Sequence, residues 1–176
     1  RAAPTAQRQV TGSVEKIVVH DDADRGLRGK GELLFQARGT TAPTKSGSWS
    51  NGYGETSIGS GETRTISAAA QPRHQFTTTA NRIAVQVEGR ENDAVTKKNQ
   101  QWCASHYSQP GTNHTARWVN QEQSGAGCYQ FSYGENTVDL PTSHHAGTWT
   151  AYREVKVARS PDLRFTATVR IEVKSN

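Results

Sequence analysis

"LRFTATVRIEV", residues 163–173, decides the fold class. Leu163, Phe165, Ala167, Val169, Ile171 and Val173 fill every odd position, while Arg164, Thr166, Thr168, Arg170 and Glu172 fill the even ones. A helix would spread that pattern around its axis. A pleated strand sends one set to each face. Val and Thr at these positions also fit the pleated surface. The segment is therefore a strand with one core face and one wet face.

Working outward, the same alternation recurs. "TWTAYREVKV" (148–157) and "CYQFSYG" (128–134) are strand-like. "RIAVQVEG" (82–89) is expected to bury Ile83, Val85 and Val87 and to expose Arg82, Ala84 and Gln86. "SVEKIVVH" (13–20) sets Ile17 and Val19 toward the core and Val14, Lys16 and Val18 away from it. "ELLFQAR" (32–38) turns Leu33, Phe35 and Ala37 inward; "TRTIS" (63–67) and "HQFTTT" (74–79) are shorter candidates. Residues 39–63, rich in Gly, Ser and Thr, read as long polar loops around short strands. Only "TKKNQQWCASHY" (96–107) has a helical aspect, with Thr96 as its cap.

Seven to nine strands spaced about ten residues apart imply an all-β fold, an antiparallel β-sandwich with long polar loops. Residues 1–11 show no periodicity and are expected to form a flexible N-terminal arm. Residues 12–176 then make a single domain, as the length of 176 suggests.

Only 32 % of residues are hydrophobic, yet four Trp, five Tyr and four Phe suffice to seed a core. The net charge of +5 modestly favours anionic surfaces. Lys97-Lys98 is the longest tandem of lysines, so the cations are scattered, which argues against a nucleic-acid footprint. No apolar run approaches the ~18 residues of a membrane span. The chain contains no Met and two cysteines, Cys103 and Cys128. Together these fit a processed, secreted protein with one disulfide, which would stabilise the fold by roughly 3–4 kcal/mol. Two buried free thiols are the alternative.

Three aspartates, Asp21, Asp22 and Asp24, stand at the end of one expected strand in "VVHDDADRGLRGKGELLF" (18–35), with Glu32 beyond them. "VEGRENDA" (87–94) repeats the theme with Glu88, Glu91, Asn92 and Asp93. An EF-hand does not fit. Gly26 and Glu32 fall at its sixth and twelfth positions, but Ala23 and Arg25 occupy the third and fifth, where side-chain oxygens belong. Loops leaving two strands at one end of a sandwich can meet, and their carboxylates then repel unless a cation sits between them.

The two acidic stretches resemble the calcium-binding loops of C2-like β-sandwich domains. The resemblance covers about a quarter of the chain and implies Ca²⁺ held among Asp21, Asp22, Asp24, Glu32, Glu91 and Asp93. The second stretch lacks an Asp-x-Asp, and Arg25, Arg28, Lys30 and Arg90 stand beside the acids. A salt-bridged polar turn without metal is the competing reading.

No motif for nucleophilic, phosphate-binding or metalloprotease chemistry stands in a convincing context. His20, abutting Asp21 and Asp22, is the one histidine placed for acid–base work. His144 and His145 are adjacent in a turn-like segment and would point apart on a strand. Trp49, Tyr53, Trp102 and Trp118 lie among polar residues, as binding-rim aromatics do, and equally as anchors packed on the sandwich do. The expectation is a secreted, calcium-stabilised binding or interaction module for an extracellular protein or polysaccharide. The alternatives are a small secreted hydrolase using His20 with Asp21 or Asp22, and an inhibitor presenting a disulfide-braced loop over 103–128.

Overall fold

The computed structural model describes residues 7–23, 30–42, 49–92, 129–141, 147–159 and 163–175. Among the described residues nine strands follow in order: β1 (Arg8–Asp22), β2 (Gly31–Thr41), β3 (Tyr53–Ile58), β4 (Thr63–Thr65), β5 (Arg73–Thr78), β6 (Arg82–Asn92), β7 (Tyr129–Asp139), β8 (Thr148–Val157) and β9 (Leu163–Ser175). They form two antiparallel sheets. The first, sheet A, runs β4-β1-β9-β8, with β5 also pairing β1. The second, sheet B, runs β3-β2-β6-β7. The chain is thus an antiparallel β-sandwich. The expected helix (96–107) and both cysteines lie outside the described residues.

β9 behaves as its alternation requires. All six odd positions from Leu163 to Val173 are buried, and the even ones are half-buried or exposed. Across the interior, the Phe165 and Phe35 rings lie 5.9 Å apart, tilted by 49°. Gly89 on β6 makes room for that contact. A Cβ there would sit 2.6 Å from Phe165 Cε1. The glycine that reads as the end of a strand is therefore a packing position inside one.

β1 departs from simple alternation in a way that matters for the site. Its pairing with β9 slips between Val14 and Lys16, and again between Val19 and Asp21. Each β-bulge adds one residue and reverses the facing of all that follows. Val10 and Val14 face inward before the first bulge, Ile17 and Val19 after it, and Asp22 after the second. Val14, expected on the outer face, is fully buried for this reason. β1 also begins at Arg8, inside the stretch expected as an arm. Pairing with both β5 and β9 fixes it there, and the buried Arg8 guanidinium donates to the Pro141 carbonyl at 2.6 Å.

Sheet B overturns a second expectation. Ala84 and Gln86 are buried, not exposed, and so are Gln36, Glu88 and Arg90. The outer face of β2 and β6 is therefore not a wet face. Its polar groups bond sideways across the strands. Gln36 stands opposite Glu88 and donates to its Oε1 at 2.6 Å. Arg38 stands opposite Gln86 and donates to its Oε1 at 2.5 Å.

Candidate functional site

β1 ends at Asp22, β2 begins at Gly31, β3 ends at Ile58 and β9 begins at Leu163, with Gly31 opposite Ile58 and Asp22 opposite Leu163. β6 reaches the same end, since Glu91 stands opposite Leu33. The segments joining β1 to β2, β3 to β4, β6 to β7 and β8 to β9 all leave from this one rim, so the two acidic stretches do meet.

Among the described residues the meeting is made by strand positions. Asp21, Asp22, Glu32 and Glu91 all lie within strands. The second bulge of β1 turns Asp22 into the sandwich, where it is 7 % exposed. The alternation of β6 turns Glu91 inward after Val85, Val87 and Gly89, and it is fully buried. A Cβ added to Gly31 would lie 3.1 Å from Asp22 Cβ and 3.2 Å from Glu91 Cγ. The Asp22 carbonyl oxygen would be nearer still, at 2.4 Å, so both carboxylate stems crowd this point and only a residue without a side chain fits it.

The Asp22 carboxylate is heavily engaged. Oδ2 accepts the Gly31 amide at 3.4 Å and the Ser60 amide at 3.3 Å; Oδ1 accepts the Ser60 hydroxyl at 3.1 Å. Ser60 Oγ in turn accepts the Asp22 amide at 3.1 Å. This ties the β3–β4 turn to the ends of β1 and β2.

The other acids are placed differently. Asp21 is half-exposed, accepts the Ala23 amide at 3.1 Å and lies 3.8 Å from the Arg164 guanidinium. Ala23 itself has φ 65°, a left-handed conformation that this short side-chain-to-backbone turn supports. Glu32 is exposed and alternates away from Leu33, so it faces opposite to Glu91. Asp24 and Asp93 lie outside the described residues. Among the described residues no group of three or more His, Cys, Asp or Glu stands together in a way that could hold a metal ion. The described donors that fit a cation are thus Asp22 and Glu91 alone, short of the six to eight oxygens Ca²⁺ requires.

Basic groups complete the rim. Lys30 pairs with Glu62, whose other oxygen accepts the Gly59 amide at 3.2 Å. The Lys30 bond, then the Gly59 amide, holds the Glu62 carboxyl below its ordinary value. His20 donates to or accepts from the Thr166 hydroxyl at 2.8 Å on the outer face of sheet A. The bulge that sends Asp22 inward leaves His20 outside, so the two do not form the dyad a hydrolase would need.

Of the aromatics, Trp49 lies under the Arg38 guanidinium, 4.5 Å from ring centroid to Cζ, and Tyr53 packs on Phe35 at 5.2 Å. Tyr53 is thus a core anchor. Trp102 and Trp118 lie outside the described residues. The sequence reading missed the polar ladder around Arg38. There, Gln86 Nε2 donates to the Tyr133 hydroxyl at 2.6 Å and to Glu135 at 3.0 Å, and Tyr133 donates to Glu135 at 2.8 Å. Burial and the Glu135 carboxylate push the Tyr133 phenol well above its ordinary value. Period-two spacing of polar residues 86, 88 and 90 beside 36 and 38 was its only trace in the sequence.

Fold and rim define a class, an antiparallel β-sandwich domain with paired carboxylates at one end. No family model matches the chain. No curated protein matches it. Among solved structures it is similar to the C2A domain of a plant extended synaptotagmin 1, with TM-score 0.41 and 10 % identity over 99 % of this chain and 98 % of that one. It is also similar to human GIVD cytosolic phospholipase A2, in complex with methyl gamma-linolenyl fluorophosphonate inhibitor and terbium chloride. There the TM-score is 0.41 and the identity 9 %, over 98 % of this chain. The chain spans 18 % of that phospholipase's length. Both likenesses are weak.

Proposed function

We propose that this chain is a β-sandwich binding module whose acidic rim takes a calcium ion. One observation carries the reading: the buried Asp22 and Glu91, from different sheets, bring Cβ and Cγ to within 3.1 and 3.2 Å of the same point beside Gly31. The sequence supplies Asp24 two residues beyond the first and Asp93 two beyond the second. Asp21, engaged by the Ala23 amide and Arg164, and Glu32, facing away, stand outside the Asp22–Glu91 pair. The competing reading is a metal-free lock, favoured by the three donors already on Asp22.

The test is thermal unfolding in excess Ca²⁺ and in EGTA. A ligand bound only by the native state adds about 2.7 kcal/mol at a hundredfold excess over Kd. For a domain of this size that raises Tm by roughly 5–10 °C. Asp24→Asn and Asp93→Asn should abolish the shift. An identical Tm in both buffers leaves the metal-free lock.

The module is read as secreted, acting on an extracellular protein or polysaccharide. What supports this is the pair Cys103 and Cys128, an even pair that can close one disulfide. Thiol titration of the denatured, unreduced protein should find no free thiol; two free thiols would remove that support.

A further inference from the structure

On one side the sandwich is closed by hydrogen bonds to backbone carbonyls: Asn136 Nδ2 donates to the Glu154 carbonyl at 3.0 Å, and the Ala158 amide donates to the Tyr133 carbonyl at 3.3 Å. The other side is closed differently. β3 pairs β2 only from Gly31 to Phe35, so the rest of that edge of sheet B needs other partners. Ser50 supplies them at Ala37, accepting its amide through Oγ at 3.0 Å and donating its own amide to the Ala37 carbonyl at 2.8 Å. At Gly39 the partner comes from the opposite sheet. The Gly39 amide donates to His74 Nδ1 on β5 at 3.0 Å. Phe76, two residues along, lies directly over Gly39, where an added Cβ would be 2.6 Å from its ring. The His74 and Phe76 rings stack at 5.7 Å. Thr41 and Thr78 share a hydrogen bond at 3.1 Å one step further. Beneath this contact lies an apolar cavity bordered by Val10, Ala37, Val85 and Val169.

We propose that His74 is an acid-released clasp joining β5 of one sheet to the free edge of β2 in the other. An imidazole accepts a hydrogen bond through Nδ1 only while that nitrogen carries no proton. When it takes a proton from solvent its lone pair is lost, the Gly39 amide loses its acceptor, and two N–H groups face each other. Arg38 is the only charged side chain among the described residues bordering the cavity beside the ring, and it adds like-charge repulsion. The charged neighbours on β5 and β9, Arg73, Arg170 and Glu172, alternate to the outer face of sheet A. Burial first, then Arg38, holds the ring below its ordinary value, so the neutral, bonded form prevails at neutral pH. The sign follows. Stability from the clasp is present above the ordinary histidine value, near 6.5, and is lost as pH falls through the lower folded value. The structural consequence is local: β5 parts from β2 and the cavity under Phe76 opens, while the β2–β6 ladder stays intact.

The test is amide hydrogen exchange of the full chain at pH 7.5 and stepwise down to pH 4.5, corrected for intrinsic rates. Protection of the Gly39 amide should fall by roughly fivefold or more, the effect of one lost hydrogen bond, while Val85 on β6 keeps its protection. His74→Gln retains an acceptor that does not titrate, so its Gly39 protection should be flat across the range. An independent readout uses wild type alone: the His74 ring shifts and the Gly39 amide shift should titrate with one midpoint. A Gly39 protection that does not change with pH, equal loss in His74→Gln, or non-coincident midpoints each overturn the proposal. None of these readouts depends on calcium, so the rim reading stands or falls separately.

Discussion

The two sheets teach different lessons about one rule. In sheet A, β9 buries its odd positions and leaves its even ones toward solvent, as period-two alternation dictates. In sheet B, β2 and β6 are buried on both faces, and the outward positions hold Gln36, Gln86, Glu88 and Arg90. Alternation in hydrophobicity tells which residues go inside. It does not tell that the polar set stays wet. In sheet B those polar residues are matched across the strands by register, Gln36 to Glu88 and Arg38 to Gln86. Buried polar groups are tolerated when each finds its partner. The difference has an energetic corollary, because an outward position on sheet A should be forgiving while an outward position on sheet B should not.

The largest effect should come from the inner face. Val169→Asp puts a carboxylate into the core opposite Val14. It should cost more than about 4 kcal/mol and leave the domain unfolded, read as loss of the cooperative transition in urea. An intermediate effect should come from the outer face of sheet B. Glu88→Ala takes the acceptor from the buried Gln36 amide and should cost about 2–3 kcal/mol. The smallest should come from the outer face of sheet A. Arg164→Gln, next to the buried Phe165, removes only a 3.8 Å surface ion pair and should stay within about 0.5 kcal/mol. A Glu88→Ala cost as small as that of Arg164→Gln would erase the distinction between the sheets. A larger cost than that of Val169→Asp would make the polar ladder, not the apolar interior, the more sensitive core.

The rim shows the same division between local and non-local information. That two acidic stretches follow strands of strong alternation was legible; that both strands end at one rim came from their pairing. Their conformation was not. Gly89 in "VEGRENDA" has the look of a turn, yet it is a strand position emptied for Phe165. Glu91 consequently rides the strand into the interior instead of sitting on a loop. Asp22 points inward only because β1 slips twice against β9.

By itself the sequence determined the strands and the class. Side-chain periodicity is a property of neighbouring residues, and the β-sandwich follows from burying one face of each strand. Tertiary structure decided the rest. Which face Val14 and Asp22 take depends on bulges that exist only in the pairing of β1 with β9. Whether Gln86 and Glu88 are wet depends on what lies against sheet B. Which group satisfies the Gly39 amide depends on β5 crossing to the edge of the other sheet. Each of these is fixed by contacts between residues distant in sequence, whose energies act only once the sheets have met.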